Sequence, residues 1–158
     1  MELAVIRERT EQDNIWILKC LSNRWGGTAV VVHGESFDLF TLPAFVAERE
    51  AGVITYRVEG TQAELISIDA VHPGCGVGTA LLEALIASLP KWQVKSLWVT
   101  TTNENLEALR FYQCRGFELR ALRPGAVEDA RRVKPTIPLK GDNGIPIRDE
   151  LDLCFDLI

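Results

Sequence analysis

This sequence predicts a mixed α/β fold: a single domain in which one sheet is covered by helices. Three observations carry that prediction. The chain has 158 residues, enough for one domain with its own buried core. Its β-like runs crowd the first 71 residues with turn residues between them, whereas strand and helix patterns alternate from Glu64 to Leu122. The β-like run Glu64 to Val71 also passes through Gly74-Cys75-Gly76-Val77-Gly78-Thr79-Ala80 directly into a run of helical period. Hairpins early and β-α-β units late place antiparallel and parallel pairs in one sheet.

Leu3 to Arg7 reads as a short first strand. From Glu11 to Leu21, the residues Ile15, Leu18 and Leu21 share one helical face. Gly26-Gly27 breaks the chain before the strongly β-forming Ala29 to Val32. Residues 34 to 43 read as a loop, because Pro43 excludes a central strand there. Phe45 to Glu48 and Val53 to Val58 flank Glu50-Ala51-Gly52 as a hairpin, and Glu59-Gly60-Thr61 turns into the strand opened by Glu64. Leu81, Leu82, Leu85 and Leu89 repeat at helical spacing until Pro90. Ser96 to Thr100 is the next strand. Thr101 to Glu104 matches a capping box for a helix with Leu106, Leu109 and Tyr112 on one side, stopped at Gly116. Phe117 to Leu122 reads as a strand. Residues 123 to 149, rich in Pro, Gly and charge, read as a long irregular connection, and Leu151 to Ile158 as a closing strand.

Composition excludes several classes of function. Apolar residues make up 47% and charged residues 25%, as in an ordinary soluble globule. The longest apolar stretches fall far short of a membrane span, and no basic start with an apolar run and cleavage site marks an export signal. Cys20, Cys75, Cys114 and Cys154 lie far apart with no CxxC pair, which argues against a disulfide framework and a metal cluster and for the cytoplasm. The formal charge is −5, and the densest basic run, Arg131-Arg132-Val133-Lys134, lies beside Glu128 and Asp129, so the electrostatic footprint of a nucleic-acid binder is missing.

The glycine-rich turn is an anion site by construction. Glycines let the backbone approach a ligand closely, and the first amides of the helix have no partner inside it. A dinucleotide fingerprint fails, because its third glycine falls on Thr79 or Leu81 and no acidic ribose partner ends the following strand, Val99-Thr100-Thr101. Gly74-Cys75-Gly76-Val77-Gly78 looks like the first motif of S-adenosylmethionine methyltransferases. Here, however, His72 occupies the place of their acidic residue, and Asp69 comes too early. Gly76-Val77-Gly78, followed by Thr79-Ala80-Leu81-Leu82, resembles the Arg/Gln-x-x-Gly-x-Gly/Ala turn of the GNAT (GCN5-related) N-acetyltransferases, with Pro73 at the Arg/Gln position. Asn105-Leu106-Glu107-Ala108-Leu109-Arg110-Phe111-Tyr112 resembles that family's Asn-x-x-Ala-x-x-Phe-Tyr helix, and Gln113-Cys114-Arg115-Gly116-Phe117 its Gly-Phe exit into a strand. Neither alternative family predicts this second cluster. The segment Pro138 to Glu150 resembles the C-terminal region of a bacterial subgroup of the same family.

The resemblance implies a central, mostly antiparallel, twisted sheet of six to seven strands, with a parallel pair splayed at the cofactor site. It implies acetyl transfer from acetyl-CoA to an amine by direct attack, with no metal. The pantetheine arm then lies along Ile68, Asp69, Ala70 and Val71, and the pyrophosphate on Gly74, Cys75, Gly76, Val77, Gly78, Thr79 and Ala80. Asn105 and Ala108 face the cofactor, Tyr112 is the acid toward the departing thiolate, and Glu64 is the base, with Asp69 as the alternative. The partner is a small-molecule or peptide amine; homodimers are frequent in the family. Because Pro73 lacks a basic or amide side chain, a non-catalytic acyl-CoA-binding module is the competing implication, ahead of a methyltransferase. By residue type alone, His33 and His72 are ordinary loop residues, and a redox role for Cys75 lacks a His or acid partner in the sequence.

Overall fold

The structure, a computed structural model, describes residues 4–157. Along the chain run β1 (Ile6–Glu8), α1 (Asn14–Trp25), β2 (Ala29–Val32), β3 (Glu35–Asp38), β4 (Ala44–Ala47), β5 (Gly52–Glu59), β6 (Gln62–Ala70), α2 (Val77–Ser88), β7 (Ser96–Thr102), α3 (Leu106–Cys114), β8 (Glu118–Arg123), α4 (Ala126–Val133) and β9 (Glu150–Asp156). Seven strands form one sheet in the order β1-β4-β5-β6-β7-β9-β8, while β2 and β3 form a separate hairpin. Among the described residues every pair in the sheet is antiparallel except β6–β7. Leu3 and Ile158, expected at the ends of the first and last strands, lie outside the described residues.

The sheet has a core on each face. On one, α2 buries Val77, Leu81, Leu82 and Leu85 beside Leu65, Val99, Tyr112 and Leu153. On the other, α1 and the β2–β3 hairpin bury Ile17, Leu21, Val30 and Phe37 against Val46, Val53 and Ile66. Leu65 and Ile66 are neighbours in β6 yet belong to different cores. Adjacent strand residues point to opposite faces. The register then slips, because Tyr56 pairs with Leu65 and Thr55 with Ser67, which leaves Ile66 as an extra residue in β6, a β-bulge. At the same level the parallel pair ends. β6 and β7 stay in register only from Gln62↔Ser96 to Leu65↔Val99; beyond that β6 follows β5 to Ala70, and β7 follows β9 to Thr102. A gap opens between them.

Several local expectations are corrected. The buried face of α1 is Ile17 and Leu21, whereas Ile15 is 86% exposed and Leu18 46%. The helix is phased by Asp13, just before its first turn, which accepts from the Arg7 guanidinium at 2.7 and 2.8 Å, the Thr10 amide at 2.8 Å and Trp16 Nε1 at 3.1 Å. Residues 34 to 43 are not all loop: β3 pairs with β2, and Pro43 falls between β3 and β4. The expected capping box at Thr101 is absent; Asn105 caps α3, accepting from the Ala108 amide at 3.1 Å, and Leu106 is exposed. Val71 lies just beyond β6.

Residues 123 to 149 contain α4, whose Val127 and Ala130 are buried. Its acidic first turn and basic last turn suit the helix dipole and form the pairs Glu128–Arg131 and Asp129–Arg132. Arg131 then ties down the segment that follows, donating to the carbonyls of Pro138 at 2.7 Å and Ile147 at 2.6 Å. Lys134 Nζ donates to the carbonyls of Trp25 at 3.1 Å and Ala29 at 2.6 Å, fastening this segment to the end of α1. Among the described residues no helix is long and apolar enough to cross a membrane.

Candidate active site

The glycine-rich turn joins β6 to α2 beside the gap. Gly74 (φ +85°) and Gly76 (φ +80°) adopt left-handed conformations that favour glycine, and Gly76 is the N-cap of α2. The Ala80 amide makes the helix's first bond, to the Gly76 carbonyl at 3.0 Å, so the amides from Gly76 to Thr79 have no partner within the helix. Gly74, Gly76, Gly78 and Thr79 line a cleft of about 660 Å³ that runs into the gap.

Within that cleft, Ile68, Asp69 and Ala70 of β6 face Thr100 and Thr101 of β7. The Val71 amide donates to the Ala51 carbonyl at 2.9 Å, on the β5 side. Backbone groups alternate sides along a strand, so Ile68 and Ala70 turn theirs toward the gap. The Arg24 guanidinium donates to the Ala70 carbonyl. Asp69 is buried and accepts from Trp25 Nε1 at 2.9 Å. Burial raises its carboxyl above the ordinary value, against the opposing effects of the Trp25 bond and the Arg24 charge. Tyr112 is buried, edge-on to Phe111 and Phe117 with ring centroids 5.4 and 5.3 Å away. Burial, and secondarily the Asp69 charge, pushes its hydroxyl well above the ordinary phenol value.

Opposite the glycines stands Arg115, the C-cap residue of α3. It donates to Thr79 Oγ1 from Nε at 3.0 Å and from Nη2 at 2.7 Å, and to the Phe111 carbonyl from Nη1 at 2.9 Å. Its guanidinium carbon lies 3.8 Å from the Phe111 ring centroid.

A second cleft, of about 360 Å³, has Glu64, Trp98, His33 and Asp152 in its walls. Thr100 lines both clefts, so the two meet at the end of the parallel pair. Glu64 Oε2 accepts from Arg57 Nε at 3.1 Å, and Arg57 also lies over the Phe37 ring, tying β6 to the β2–β3 hairpin. His33 Nε2 is 2.9 Å from Asp152 Oδ1 and 3.1 Å from Thr100 Oγ1. Burial pushes the Asp152 carboxyl up, but hydrogen bonds from Arg123 and Thr100 and the neighbouring charges outweigh it, and the net shift is downward.

Residues 16–117 match the model of the acetyltransferase (GNAT) family. The chain belongs to the GNAT acetyltransferase family. Among its relatives, the uncharacterized protein YxbD of Bacillus subtilis strain 168 is 41% identical over 137 residues, 84% of this chain and 86% of that protein. YdhI of the same strain is 38% identical over 134 residues, 82% of this chain and 84% of that protein. Similar solved folds include an IAA acetyltransferase from Bacillus cereus ATCC 14579, with TM-score 0.72, 21% identity and coverage of 98% of this chain and 99% of that one. A GNAT acetyltransferase from Elizabethkingia anophelis with acetyl-CoA bound has TM-score 0.69, 18% identity and coverage of 99% of both chains.

In this GNAT chain the residues expected at the site do not all meet. Ile68, Asp69, Ala70, Gly74, Gly76, Val77, Gly78, Thr79, Asn105, Ala108 and Tyr112 line the first cleft, whereas Val71, Cys75 and Ala80 fall outside its lining. Cys75 is exposed. Glu64 lies in the wall of the second cleft. Reading the residues alone missed Arg24 and Arg115 in the first cleft and the His33–Asp152 contact in the second; Trp25, which the family resemblance places by the acceptor, lines the first cleft. His33 and Asp152 are 119 positions apart, and no local pattern joins them. Arg115 stands directly before Gly116-Phe117 but carried no signal of its own. Among the described residues no group of three or more His, Cys, Asp or Glu side chains could hold a metal ion.

Proposed function

We propose that this protein transfers an acetyl group from acetyl-CoA to an amine by direct attack while both are bound. The single observation that carries this reading is the parting of β6 from β7 beside the glycine turn. One cleft thereby offers an anion cradle at one end and an exposed strand edge at the other. The chemistry suits this frame. A thioester is already activated, so holding the two reactants in attack geometry supplies much of the rate. The backbone amides of Gly76 to Thr79 receive the pyrophosphate, and the open edge at Ile68 and Ala70 pairs with the pantetheine arm and steadies the oxyanion. Arg24, which holds the Ala70 carbonyl, must release it for that pairing.

The amine enters from the second cleft. Its walls carry the carboxylates of Glu59, Glu64 and Asp152 against one guanidinium, that of Arg57, a balance that suits a cationic acceptor. Glu64 takes the ammonium proton. The freed nitrogen lone pair bonds to the carbonyl carbon, and the carbon–sulfur bond breaks. Tyr112 donates its proton to the departing sulfur, and the second proton shed by the acylated nitrogen restores the phenol. The Tyr112 hydroxyl is held above the ordinary phenol range, so it is protonated at neutral pH but is a weaker acid than a free phenol, and it gives up its proton only as charge builds on the sulfur. Asp69 is a second candidate base, favoured by its burial and raised carboxyl in the first cleft.

An amine panel assayed for CoA thiol release tests this. At least one cationic amine will stimulate release, and Tyr112→Phe will lower turnover about 100-fold, the usual scale of a lost proton donor, with acetyl-CoA affinity kept. Glu64→Gln will lower turnover at neutral pH, whereas loss in Asp69→Asn alone would move the base to Asp69. Binding of acetyl-CoA with no amine-dependent release would favour the non-catalytic module.

A further inference from the structure

We infer that Arg115 is the cationic contact for the cofactor's pyrophosphate, in the role that Pro73 denies to the loop itself. The inference rests on the acyl-CoA reading of the cleft. Pro73 contributes neither a side-chain donor nor an amide hydrogen at the start of the turn. Arg115 instead reaches the first turn of α2, at Thr79, from α3. Its bonds to Thr79 Oγ1 and to the Phe111 carbonyl, with the Phe111 ring beneath it, hold the guanidinium plane in one orientation. Those bonds use three of the five N–H groups a guanidinium carries, which leaves about two for a ligand.

The charge around Arg115 points the same way. Asp69 and Glu107 also line the cleft, but among the described residues no carboxylate forms an ion pair with Arg115. Thr79 lies in the first turn of α2, where the unpaired amides and the helix dipole already concentrate positive charge. A cation fixed against that end is unfavourable unless an anion is shared between them. A pyrophosphate on the Gly76–Thr79 amides is such an anion, and a guanidinium matches its oxygens two at a time. A purely structural tie between α3 and α2 would need no charge there, and a neutral donor would serve it better.

Titration calorimetry of CoA and of dephospho-CoA, which keeps the pyrophosphate but lacks the 3′-phosphate, tests this on the wild type, Arg115→Met and Arg115→Lys. Unliganded melting checks the fold. Arg115→Met is expected to weaken both ligands by roughly 10- to 100-fold, the scale of a hydrogen bond to a charged group. Arg115→Lys should recover part of that loss, and the unliganded melting temperature should not fall. Unchanged affinities overturn the inference, as does a loss for CoA alone, which would place Arg115 at the 3′-phosphate. A lower unliganded melting temperature with affinities kept makes Arg115 a structural tie. Wild-type protein that binds neither ligand overturns the acyl-CoA reading and this inference together.

Discussion

Asp13 shows how a single side chain sets the position of a helix that shapes the site. It is 4% exposed yet remains ionised, because Arg7, the Thr10 amide and Trp16 all donate to it. The Arg7 hydrogen bonds, followed by those from Thr10 and Trp16, overcome burial and hold its carboxyl well below the usual carboxylate range. A carboxyl whose folded value is depressed contributes stability above its unfolded value of about 3.9, and loses it as pH falls below that. Asp13→Asn is therefore expected to cost about 2 kcal/mol in urea unfolding at pH 7. Its deficit relative to wild type should shrink as pH drops below about 4. A deficit that is constant with pH would deny that the charge matters. Residue-level legibility was uneven for a physical reason. Tyr112 and Asn105 could be picked out because the local run Asn105 to Tyr112 resembles a family motif. Arg115 acts on Thr79, 36 positions away, and only the packing of α3 on α2 brings them together.

At the scale of elements, the cleft depends on how closely β5, β6 and α2 approach. Gly52 opens β5 at that junction. A Cβ there would meet the Asp69 carbonyl at 2.6 Å, Val77 Cγ1 at 2.9 Å and Leu81 Cδ1 at 3.1 Å. The contact with a backbone carbonyl cannot be relieved by a rotamer change. Gly52→Ala is thus expected to lose about 1–3 kcal/mol, the range of core overpacking, and to weaken acetyl-CoA binding by shifting the edge at Asp69 and Ala70. Chemical denaturation together with a CoA titration checks both; a stable variant with normal affinity would show that the junction is slack. Elements with their own apolar period were legible from sequence: α2 through Leu81, Leu82 and Leu85, and the β4–β5 hairpin through its turn. The phase of α1 was not, because Asp13 and Arg7 set it from outside the helix. α4 was hidden for a similar reason: it buries only Val127 and Ala130, and the Pro- and Gly-rich segment after it is ordered by carbonyls bonded to Arg131 and Lys134.

Across the whole molecule, the order of strands and helices was the most legible property, since it follows from turn residues and hydrophobic period. The mixed sheet follows from that order, whereas the parting of its parallel pair was expected only from the family resemblance. The second cleft follows from neither: it is assembled from β2–β3, β5, β6, β7 and β9, with His33 reaching Asp152 across the molecule. The central claim, that the first cleft is an acetyl-CoA site on a GNAT frame, is tested most directly by thermal unfolding with acetyl-CoA, CoA and S-adenosylmethionine in parallel. A ligand that binds only the folded state at about 100 times its Kd adds about 2.7 kcal/mol of stability. The account predicts a raised melting temperature with acetyl-CoA and CoA and none with S-adenosylmethionine. No shift with either CoA compound, or a shift with S-adenosylmethionine alone, would contradict it.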